Sequence, residues 1–407
     1  MINASLGAHY DGSFVWQSMM LWWQTLLGIK HQESADELQQ KLSNTFGGKV
    51  VLTYKGRDAI ELALRGYGLT SNKDVVLTQA FTCFAIEEAI VRAGAKPVYV
   101  DLAKDQLNFN VKSLQAAGKK HGKNVKAVIV QHGLGHPAEI DKIREWCNRQ
   151  GVLVIEDLAQ SFGAAGAGKP LGSFGDAVIL SFGRDKVIDA VTGGAVIFRT
   201  PAKNNQLSFL PPAKGIILKD LAYPFFTWLI RNTYFWLGLG KLIHRLLTIA
   251  GLMGNPTQAP TQTITALPGG VAKLALTQLQ TLEKNLQHRR KTAKLYLQEL
   301  QSLPGKIITT EADTQYGTIL RFVLTTDDPQ ALLSFWKKHG IHLTDRWYRS
   351  PVDCGNLQCD TSYQSGTAPR AEKMSQTVIN LPTHSKINQR QAEKIIAVTK
   401  KFFKNKK

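Results

Sequence analysis

Short apolar runs alternate with helical patterns between residues 49 and 199. The runs lie at residues 49–53, 74–78, 97–101, 127–131, 152–157, 177–181 and 195–198. Helical patterns at residues 58–65 and 86–93 separate the earlier runs. Continuous apolar runs between helices predict a parallel or mixed β-sheet that is buried on both faces. Ligands bind at the carboxyl ends of the strands in such sheets, so the residues after each run are candidates for a site.

A second pattern begins at Val271. Apolar residues at helical spacing predict one helix from Val271 and a second helical stretch over residues 285–302. A strand over residues 318–325, a helix over 329–339 and a final helix over 389–403 follow. The chain of 407 residues is long enough for two domains. We therefore predict a large domain over residues 1–270 and a small α+β domain over residues 271–407.

Residues 207–254 interrupt the alternation of the large domain. Seven aromatic residues lie within residues 221–240, where Arg231 carries the single charge. Apolar residues continue at helical spacing as far as Ile249, and a Pro- and Thr-rich loop follows over residues 255–263. The segment is flanked by basic residues, namely Lys214, Lys219, Lys241 and Arg245. The pattern predicts a helical insertion that is both aromatic and basic.

Two interpretations of this insertion stay open. Aromatic residues flanked by lysine and arginine are what a helix needs to lie on a membrane interface, which predicts peripheral membrane contact. The same residues would also suit a buried insertion in the core or in a dimer interface. Pro224 and Arg231 argue against a membrane span, since about 20 mostly apolar residues would be required.

Charge and cysteine content narrow the class of protein. The formal net charge of +19 favours an anionic partner. No recognition helix or zinc motif accompanies this charge, so we expect no nucleic-acid partner. The four cysteines are spaced neither as a disulfide framework nor as a metal site, and the N-terminus lacks a secretory pattern. We expect no bound metal and a cytoplasmic location, peripheral at the inner face of the membrane if the insertion docks there.

Two of the strand ends carry residues that suit pyridoxal phosphate (PLP). Asp157 ends one apolar run, and Lys186 follows Ser181 at the end of the next. A lysine amine can take up the aldehyde of PLP, and a carboxylate can keep its ring nitrogen protonated. Gly56 joins a strand to a helix start, where backbone N–H groups can cradle phosphate. Asp157 could instead cap a helix and Lys186 could be a surface lysine, but their occurrence together, with Gln160 between them, favours the site.

Several segments around these residues resemble the DegT/DnrJ/EryC1/StrS sugar aminotransferases. The matching segments are residues 56–59, 131–138, 156–164, 168–176, 181–186, 192–195, 371–373 and 380–384. The resemblance implies an α/β protein of the fold-type I PLP-dependent transferases, with a central mostly parallel sheet flanked by helices and a smaller C-terminal α+β domain. It also implies a homodimer that moves an amino group, usually from glutamate, to a nucleotide-linked keto-sugar. Synthesis of surface polysaccharide or glycolipid is the expected context.

The resemblance assigns roles to the residues around the cofactor. Lys186 is the expected catalytic lysine, Asp157 the partner of the pyridine nitrogen and Gln160 a contact of the ring face or the O3′ region. The expected phosphate contacts are Gly56 and Arg57, in the loop before the helix, and Ser181.

The chain departs from the family pattern at three places. Arg57 replaces a small polar residue of the phosphate loop. Cys83 or Phe84 stands where many relatives place an aromatic ring over the cofactor, and the sequence does not choose between them. Residues 265–270 lack the asparagine and arginine that relatives use toward the substrate. The acceptor is therefore expected to be nucleotide- or lipid-linked. The alternative is a regulatory or scaffold protein that binds PLP without turnover.

Overall fold

A computed structural model describes residues 2–3, 7, 9–203, 209–234, 238–253, 263–303, 306–343, 347–355 and 360–405. The strands are β1 (Ile2–Asn3), β2 (Lys49–Thr53), β3 (Val75–Gln79), β4 (Lys96–Val100), β5 (Val125–Gln131), β6 (Leu153–Asp157), β7 (Ala165–Gly166), β8 (Lys169–Pro170), β9 (Ala177–Ser181), β10 (Gly194–Phe198), β11 (Lys306–Ile307), β12 (Arg321–Thr325), β13 (Ile341–His342) and β14 (Val378–Pro382). The α-helices are α1 (Gly12–Leu26), α2 (Gln32–Phe46), α3 (Gly56–Gly66), α4 (Phe84–Ala93), α5 (Val111–His121), α6 (Ile140–Gln150), α7 (Lys214–Thr233), α8 (Leu239–Ile249), α9 (Gly269–Gln280), α10 (Leu282–Leu300), α11 (Glu311–Tyr316), α12 (Pro329–Lys338), α13 (Pro369–Thr377) and α14 (Gln389–Lys404).

A seven-stranded sheet in the order β2-β10-β9-β6-β5-β3-β4 forms the centre of the molecule. β10 is antiparallel to both of its neighbours, and the remaining pairs are parallel. All seven apolar runs form these strands with ends shifted by no more than two residues. The predicted fold class, an α/β protein with a central mostly parallel sheet, is confirmed.

Alternate residues of the central strands belong to two separate hydrophobic clusters. Val178 and Leu180 of β9 face one cluster, whereas Ile179 between them faces the other. Successive side chains of a strand point to opposite faces, so this division means that the sheet is covered on both sides. Burial of both faces explains why the strands are continuous apolar runs rather than alternating ones.

The C-terminal residues form the predicted α+β unit around a third hydrophobic cluster. Its sheet has the order β11-β12-β14, and α10, α12 and α14 contribute buried side chains, Trp336 of α12 among them. The packing crosses the predicted division after residue 270 at several points, since Val271, Leu274 and Leu276 of α9 also belong to the core of the large unit. Leu286 of α10 still belongs to the core of the large unit, and Ile2 of β1 belongs to the core of the small one.

The insertion forms two helices that pack on the large unit. α7 contacts both α1 and α8, so it lies within a layer that includes the first long helix of the chain. Pro224 interrupts the hydrogen bonds of α7, and the buried Ser18 of α1 donates to the carbonyl of Leu221 in the preceding turn at 2.7 Å. Among the described residues, no helix combines the length and the apolar character that crossing a bilayer requires. Of the predicted loop over residues 255–263, all but Thr263 lie outside the described residues.

Candidate active site

A cavity of about 700 Å³ opens at one edge of the central sheet. The carboxyl ends of β2, β5, β6 and β9 meet there, together with the amino end of the antiparallel β10. The cavity is lined by residues that follow or precede these strands, among them Lys55, Gly56, Arg57, Gln131, His132, Asp157, Gln160, Ser181, Lys186, Thr192 and Gly193. The sheet topology therefore brings Lys186 and Asp157 to one cavity, as their positions after two apolar runs predict.

The loop that carries Lys186 is fixed by a buried carboxylate. Asp189, which is 1% exposed, accepts hydrogen bonds from the backbone N–H of Asp185 at 2.6 Å and of Val191 at 2.8 Å. The hydroxyl of Tyr10 donates to the same carboxylate at 2.8 Å. Asp185 and Val191 both have positive φ angles, and a β-branched residue such as Val191 adopts this conformation only where the surroundings enforce it. Asp189 therefore holds a strained loop in the shape that presents Lys186 to the cavity.

The lysine amine lies close to an aromatic ring that the sequence analysis did not single out. The Nζ atom of Lys186 lies 5.0 Å from the ring centroid of Trp347, within the range of a cation–π contact. Arg321 approaches the same ring at 5.5 Å. Trp347 and Tyr348 both line the cavity. They reach it from the C-terminal half of the chain, and an aromatic pair before Arg349 was the one sequence feature that could have indicated them.

Asp157 is buried at the cavity floor. Its carboxylate accepts from the backbone N–H of Ala159 at 2.9 Å and from the Nε2 of Gln131 at 3.4 Å. Burial raises the pKa of Asp157 above its ordinary value, although the Ala159 N–H and the charge of Lys186 act in the opposite direction. A cation placed against this carboxylate would favour its charged form. A protonated ring nitrogen is such a cation.

The neighbouring Glu156 points into a different environment. Its carboxylate accepts from the backbone N–H groups of Gly172 at 2.6 Å and Gly175 at 3.0 Å. Burial alone would raise the pKa of Glu156, but the contact with His132 and the backbone N–H donors outweigh it and hold the pKa below its ordinary value. Glu156 therefore stabilises the loop after β8 as an anion, while Asp157 faces the cavity.

The opposite end of the cavity has the shape of a phosphate cradle. Gly56 begins α3, and a β-carbon at this position would lie 2.9 Å from both Cβ and Oγ of Ser181. Only glycine allows the helix start and the serine hydroxyl to approach so closely. A helix N-terminus with a hydroxyl beside it can bind a phosphate group. The structure thus brings two of the predicted phosphate contacts together.

Arg57 lines the cavity, but its charge is already engaged. Its guanidinium forms an ion pair with Glu88 of α4. Lys55, which sequence reasoning missed, lies on the same side of the cavity, and its Nζ donates to Thr192 at 3.0 Å. Burial lowers the pKa of Lys55, although the nearby Asp220 acts in the opposite direction.

Asp220 of α7 links the insertion to this end of the cavity. Its carboxylate accepts from the hydroxyl of Tyr54 at 2.7 Å, from Lys55 at 3.4 Å and from Arg184 at 3.1 Å. The guanidinium of Arg184 also lies over the ring of Tyr223 at 3.4 Å. Asp220 is the single acidic residue among residues 207–254, and this isolation was the sequence feature that could have drawn attention to it.

The insertion also contributes lining residues. Tyr223 of α7, His244 of α8 and Met253 line the cavity. The buried faces of α7 show that part of the insertion is core, as one of the two interpretations predicts. The second interpretation, membrane contact, concerns the outward faces of these helices.

Gln160 is anchored at both ends of its amide. Its Oε1 accepts from the backbone N–H of Leu134 at 2.7 Å, and its Nε2 donates to the hydroxyl of Tyr348. Of the two candidates for the ring face, Cys83 lines the cavity, whereas Phe84 packs in a hydrophobic cluster beside it. Cys83 packs against the same cluster, so the choice between the two for the ring face stays a prediction. Cys83 is a free thiol, whereas Cys354 is disulfide-bonded, which the cysteine spacing did not predict.

Residues 265–270 lie along the edge of the central sheet. The backbone N–H of Tyr54 donates to the carbonyl of Thr265 at 2.8 Å, and Ala266 forms an antiparallel bridge with Thr53. Leu267 is buried beside Gly193. Apolar and backbone contacts thus occupy the segment where relatives carry an asparagine and an arginine.

The residues present fit PLP. A lysine and a buried carboxylate face one cavity, and at its other end a glycine-started helix lies against a serine hydroxyl. These are the groups that an aldehyde, a pyridine nitrogen and a phosphate require. A volume of about 700 Å³ is within the range of cavities that hold a cofactor with its substrate.

Comparison with known proteins decides the family. The model of the DegT/DnrJ/EryC1/StrS aminotransferase family matches residues 22–212 and 267–400. The chain belongs to this family. Members of the DegT/DnrJ/EryC1/StrS family are PLP-dependent aminotransferases, so the predicted enzyme class and cofactor are confirmed. The unmatched residues between the two parts, 213–266, contain α7 and α8.

Relatives in this family carry names of different functions. A pleiotropic regulatory protein of Geobacillus stearothermophilus is 27% identical over 352 residues, which cover 86% of this chain and 84% of the relative. A GDP-perosamine synthase of Vibrio cholerae is 24% identical over 353 residues, with coverage of 86% and 84%. A DegT/DnrJ/EryC1/StrS aminotransferase structure from Brucella abortus has a TM-score of 0.70 at 23% identity and covers 95% of each chain.

Proposed function

We propose that the chain transfers an amino group from an amino acid, with glutamate as the expected donor, to a keto-sugar. The proposal rests on one observation: Lys186 and Asp157 line the same cavity as the phosphate cradle formed by Gly56 and Ser181. Two relatives, a GDP-perosamine synthase and a dTDP-3-amino-3,4,6-trideoxy-alpha-D-glucose transaminase, support a sugar as the acceptor. The acceptor is nucleotide- or lipid-linked, and its product serves surface polysaccharide or glycolipid synthesis.

The residues of the chain divide the chemistry between them. When bound, PLP supplies an aldehyde for the amine of the donor and a ring that withdraws electrons from the donor's α-carbon. The Nζ of Lys186 would accept the proton from that α-carbon as a general base and would then deliver it, as a general acid, to the carbon that carried the aldehyde, because returning it to the α-carbon would leave the donor unchanged. The carboxylate of Asp157 keeps a proton on the ring nitrogen. Gly56 and Ser181 hold the phosphate, and Gln160 positions Tyr348 beside the site.

The test of this proposal is the attachment of PLP to one lysine. Purified wild-type protein mixed with PLP should develop a near-visible absorbance band. Borohydride reduction followed by peptide mapping should then place the pyridoxyl label on Lys186. Lys186→Ala should lose the band, the label and all measurable transfer from glutamate, since the amine of Lys55, the other lysine of the cavity lining, is engaged by Thr192 and Asp220.

The matched control is Lys142→Ala. Lys142 is an exposed lysine of α6 that pairs with Glu139 at 3.0 Å, far from the cavity lining. Its variant should keep the band and the transfer rate. The proposal would be contradicted if the wild-type protein gained no band with PLP. It would also be contradicted if Lys186→Ala took up as much pyridoxyl label as wild type.

A second candidate function is regulation or scaffolding by a PLP-bound protein without turnover. The absence of the asparagine and arginine from residues 265–270 favours it, and one relative carries the name of a pleiotropic regulatory protein. Lys186 and Asp157 argue for turnover, because binding alone needs neither a proton-transferring lysine nor a ring-protonating acid. Wild-type protein that shows the Lys186-dependent band but no transfer from any amino acid would favour this second function.

Assembly and location complete the proposal. A homodimer remains a prediction from the family resemblance, and a cytoplasmic location remains a prediction from the cysteine content and the N-terminal sequence. No nucleic-acid partner is proposed, because no described element supplies a recognition helix beyond general positive charge.

A further inference from the structure

The outward face of α8 is an unpartnered apolar stripe. Leu239, Leu242, Leu246 and Ile249 are 37%, 53%, 56% and 74% exposed. Their spacing of three, four and three residues places them on one side of the helix. His244, which lines the cavity, lies on the opposite side, and the exposed Lys241 and Arg245 lie between the two sides. α8 is therefore apolar on the surface where a solvated helix would be polar.

A second stripe lies on α1 and the residue that ends it. Trp16, Met20, Trp23 and Leu27 are 69%, 41%, 54% and 76% exposed, at spacings that again define one side. The opposite side of α1 is buried through Phe14, Ser18 and Leu21. Large exposed apolar side chains on one face of a helix mark an interaction surface. Tryptophan is the residue that concentrates at membrane–water interfaces.

The two stripes belong to one part of the molecule. α7 packs against both α1 and α8, and it adds the exposed Ile216 and Trp228. The Nζ of Lys214, at the start of α7, donates to the carbonyl of Leu26 at the end of α1 at 2.7 Å. We name the exposed apolar residues of α1, α7 and α8 the outer face.

Within α1, α7 and α8, the helices that carry the outer face, the exposed charge is basic, and Asp11, which caps α1, pairs with Lys386 at 3.4 Å. Residues 12–30 contain no acidic residue, and the single acid of residues 207–254 is the buried Asp220. The exposed basic residues are Lys30, Lys214, Lys241 and Arg245. A partner that covers this face must therefore offer apolar surface with negative charge at its edge.

A bilayer that contains anionic lipids meets both requirements. Its hydrocarbon accepts leucine and tryptophan side chains, and its headgroups attract lysine and arginine. A second copy of the chain fits less well. A symmetric contact between two α8 stripes would bring Lys241 and Arg245 of one copy close to Lys241 and Arg245 of the other. These like charges would repel each other, and each copy carries a net charge of +19.

We propose that the outer face docks the protein on the surface of an anionic bilayer. The bound α1 and α8 lie in the interface rather than across it. The proposal does not depend on amino transfer, because it rests on the outer face alone. It assigns a function to α7 and α8, which lie within residues 213–266, the part that the family model does not match.

The experiment is flotation of the purified full-length protein with vesicles. Phosphatidylcholine vesicles with and without phosphatidylglycerol serve as the probes. Wild-type protein should float with the anionic vesicles and much less with the neutral ones. Leu242→Ser/Leu246→Ser should lose most of this binding, because two exposed apolar anchors are removed. Lys241→Glu/Arg245→Glu should weaken it at least roughly tenfold, since each basic residue near an anionic surface contributes about 1 kcal/mol.

Point substitutions are preferable to deletion of the insertion, because deletion would also remove Tyr223 from the cavity lining and Asp220 from its contact with Lys55. Val91→Ser/Tyr316→Ser is the matched control. Both residues are exposed apolar side chains, at 54% and 48%, on helices outside the outer face. The control should float like wild type, and all variants should keep the absorbance band with PLP.

Three results would overturn the proposal. The first is a wild-type protein that stays unbound with anionic vesicles. The second is equal flotation of wild type and the double-serine variant of α8. The third is self-association of the wild type, measured by sedimentation without lipid, if the α8 substitutions abolish it. The outer face would then be an interface between two copies. Failure of flotation would leave the PLP assignment untouched, since the Lys186 label is measured separately.

Discussion

The charges of two adjacent carboxylates at the end of β6 have opposite effects on the free energy of unfolding. Asp157 is buried with a raised pKa, and Glu156 is buried with a lowered pKa. A folded-state pKa above the unfolded value means that the folded protein holds the extra proton, so stability falls as the pH rises through that interval. A lowered pKa has the opposite effect: its contribution is present above the unfolded value and is lost as the pH falls through the folded value.

Substitution of each carboxylate by its amide should therefore have opposite effects at pH 7. Asp157→Asn should raise the melting temperature of the cofactor-free protein, because a buried charge is removed, while turnover falls at least roughly a hundredfold. Thermal unfolding and the rate of amino transfer are the two measurements.

The paired variant is Glu156→Gln. It should lower the free energy of unfolding at pH 7 by about 1–3 kcal/mol, because charge-assisted bonds from the loop after β8 are weakened. The difference from wild type should shrink as the pH falls through the pKa of Glu156. A stabilised Glu156→Gln, or a destabilised Asp157→Asn, would show that the two environments have been interpreted wrongly.

At the scale of elements, α7 connects the outer face to the cavity through contacts on both sides of the helix. Ser18 of α1 binds the turn that Pro224 opens, and Asp220 in that turn reaches Tyr54, Lys55 and Arg184. A proline in the middle of a helix normally costs about 3 kcal/mol, because the carbonyl four residues earlier, here that of Asp220, loses its donor. The Ser18 hydroxyl binds the neighbouring carbonyl, that of Leu221. The kinked turn thus joins the first helix of the chain to the phosphate end of the cavity.

Asp220→Asn tests this connection. The variant leaves Lys55 and Arg184 without their buried counter-ion, so we expect the free energy of unfolding to fall by about 3 kcal/mol. Inorganic phosphate should restore stability more strongly in the variant than in wild type, because it can supply the missing negative charge. Urea denaturation with and without phosphate measures both effects.

The control is Asp327→Asn at an exposed aspartate outside the cavity lining. This control should show neither change. Equal stabilisation of Asp220→Asn and wild type by phosphate would mean that Lys55 and Arg184 do not form an anion-binding pair.

The sequence predicted elements well where one physical pattern dominates. The seven central strands are buried on both faces, so their apolar runs are continuous and need no tertiary information. α2 and α5 carry mostly polar residues and were not predicted, because their few buried leucines, such as Leu38, give a weak pattern. Trp347 and Asp220 were missed because they reach the cavity from distant parts of the chain.

At the scale of the whole molecule, the chain begins in the small unit and then enters the large one. β1 pairs with β13 in parallel, so Ile2 lies opposite Ile341 and is 2% exposed. α1 then packs on α7 in the large unit. The N-terminal residues therefore connect the two hydrophobic cores.

Ile2→Ala should loosen this connection. Loss of the buried side chain should cost about 2 kcal/mol and speed hydrogen exchange at the amides of β13 before those of the central sheet. Exposed Val91→Ala is the control and should change neither. Unchanged exchange at β13 in Ile2→Ala would mean that β1 contributes no stability to the small unit.

α8 has leucines on one side and His244, at the cavity wall, on the other. Contacts on either side of one helix share its position and its freedom to move. A ligand in the cavity that shifts α8 would therefore change the affinity of the protein for lipid. By linkage, lipid would change the affinity for that ligand by the same factor. The vesicle and the sugar acceptor would be allosteric effectors of one another, and a single helix would be the element that couples them.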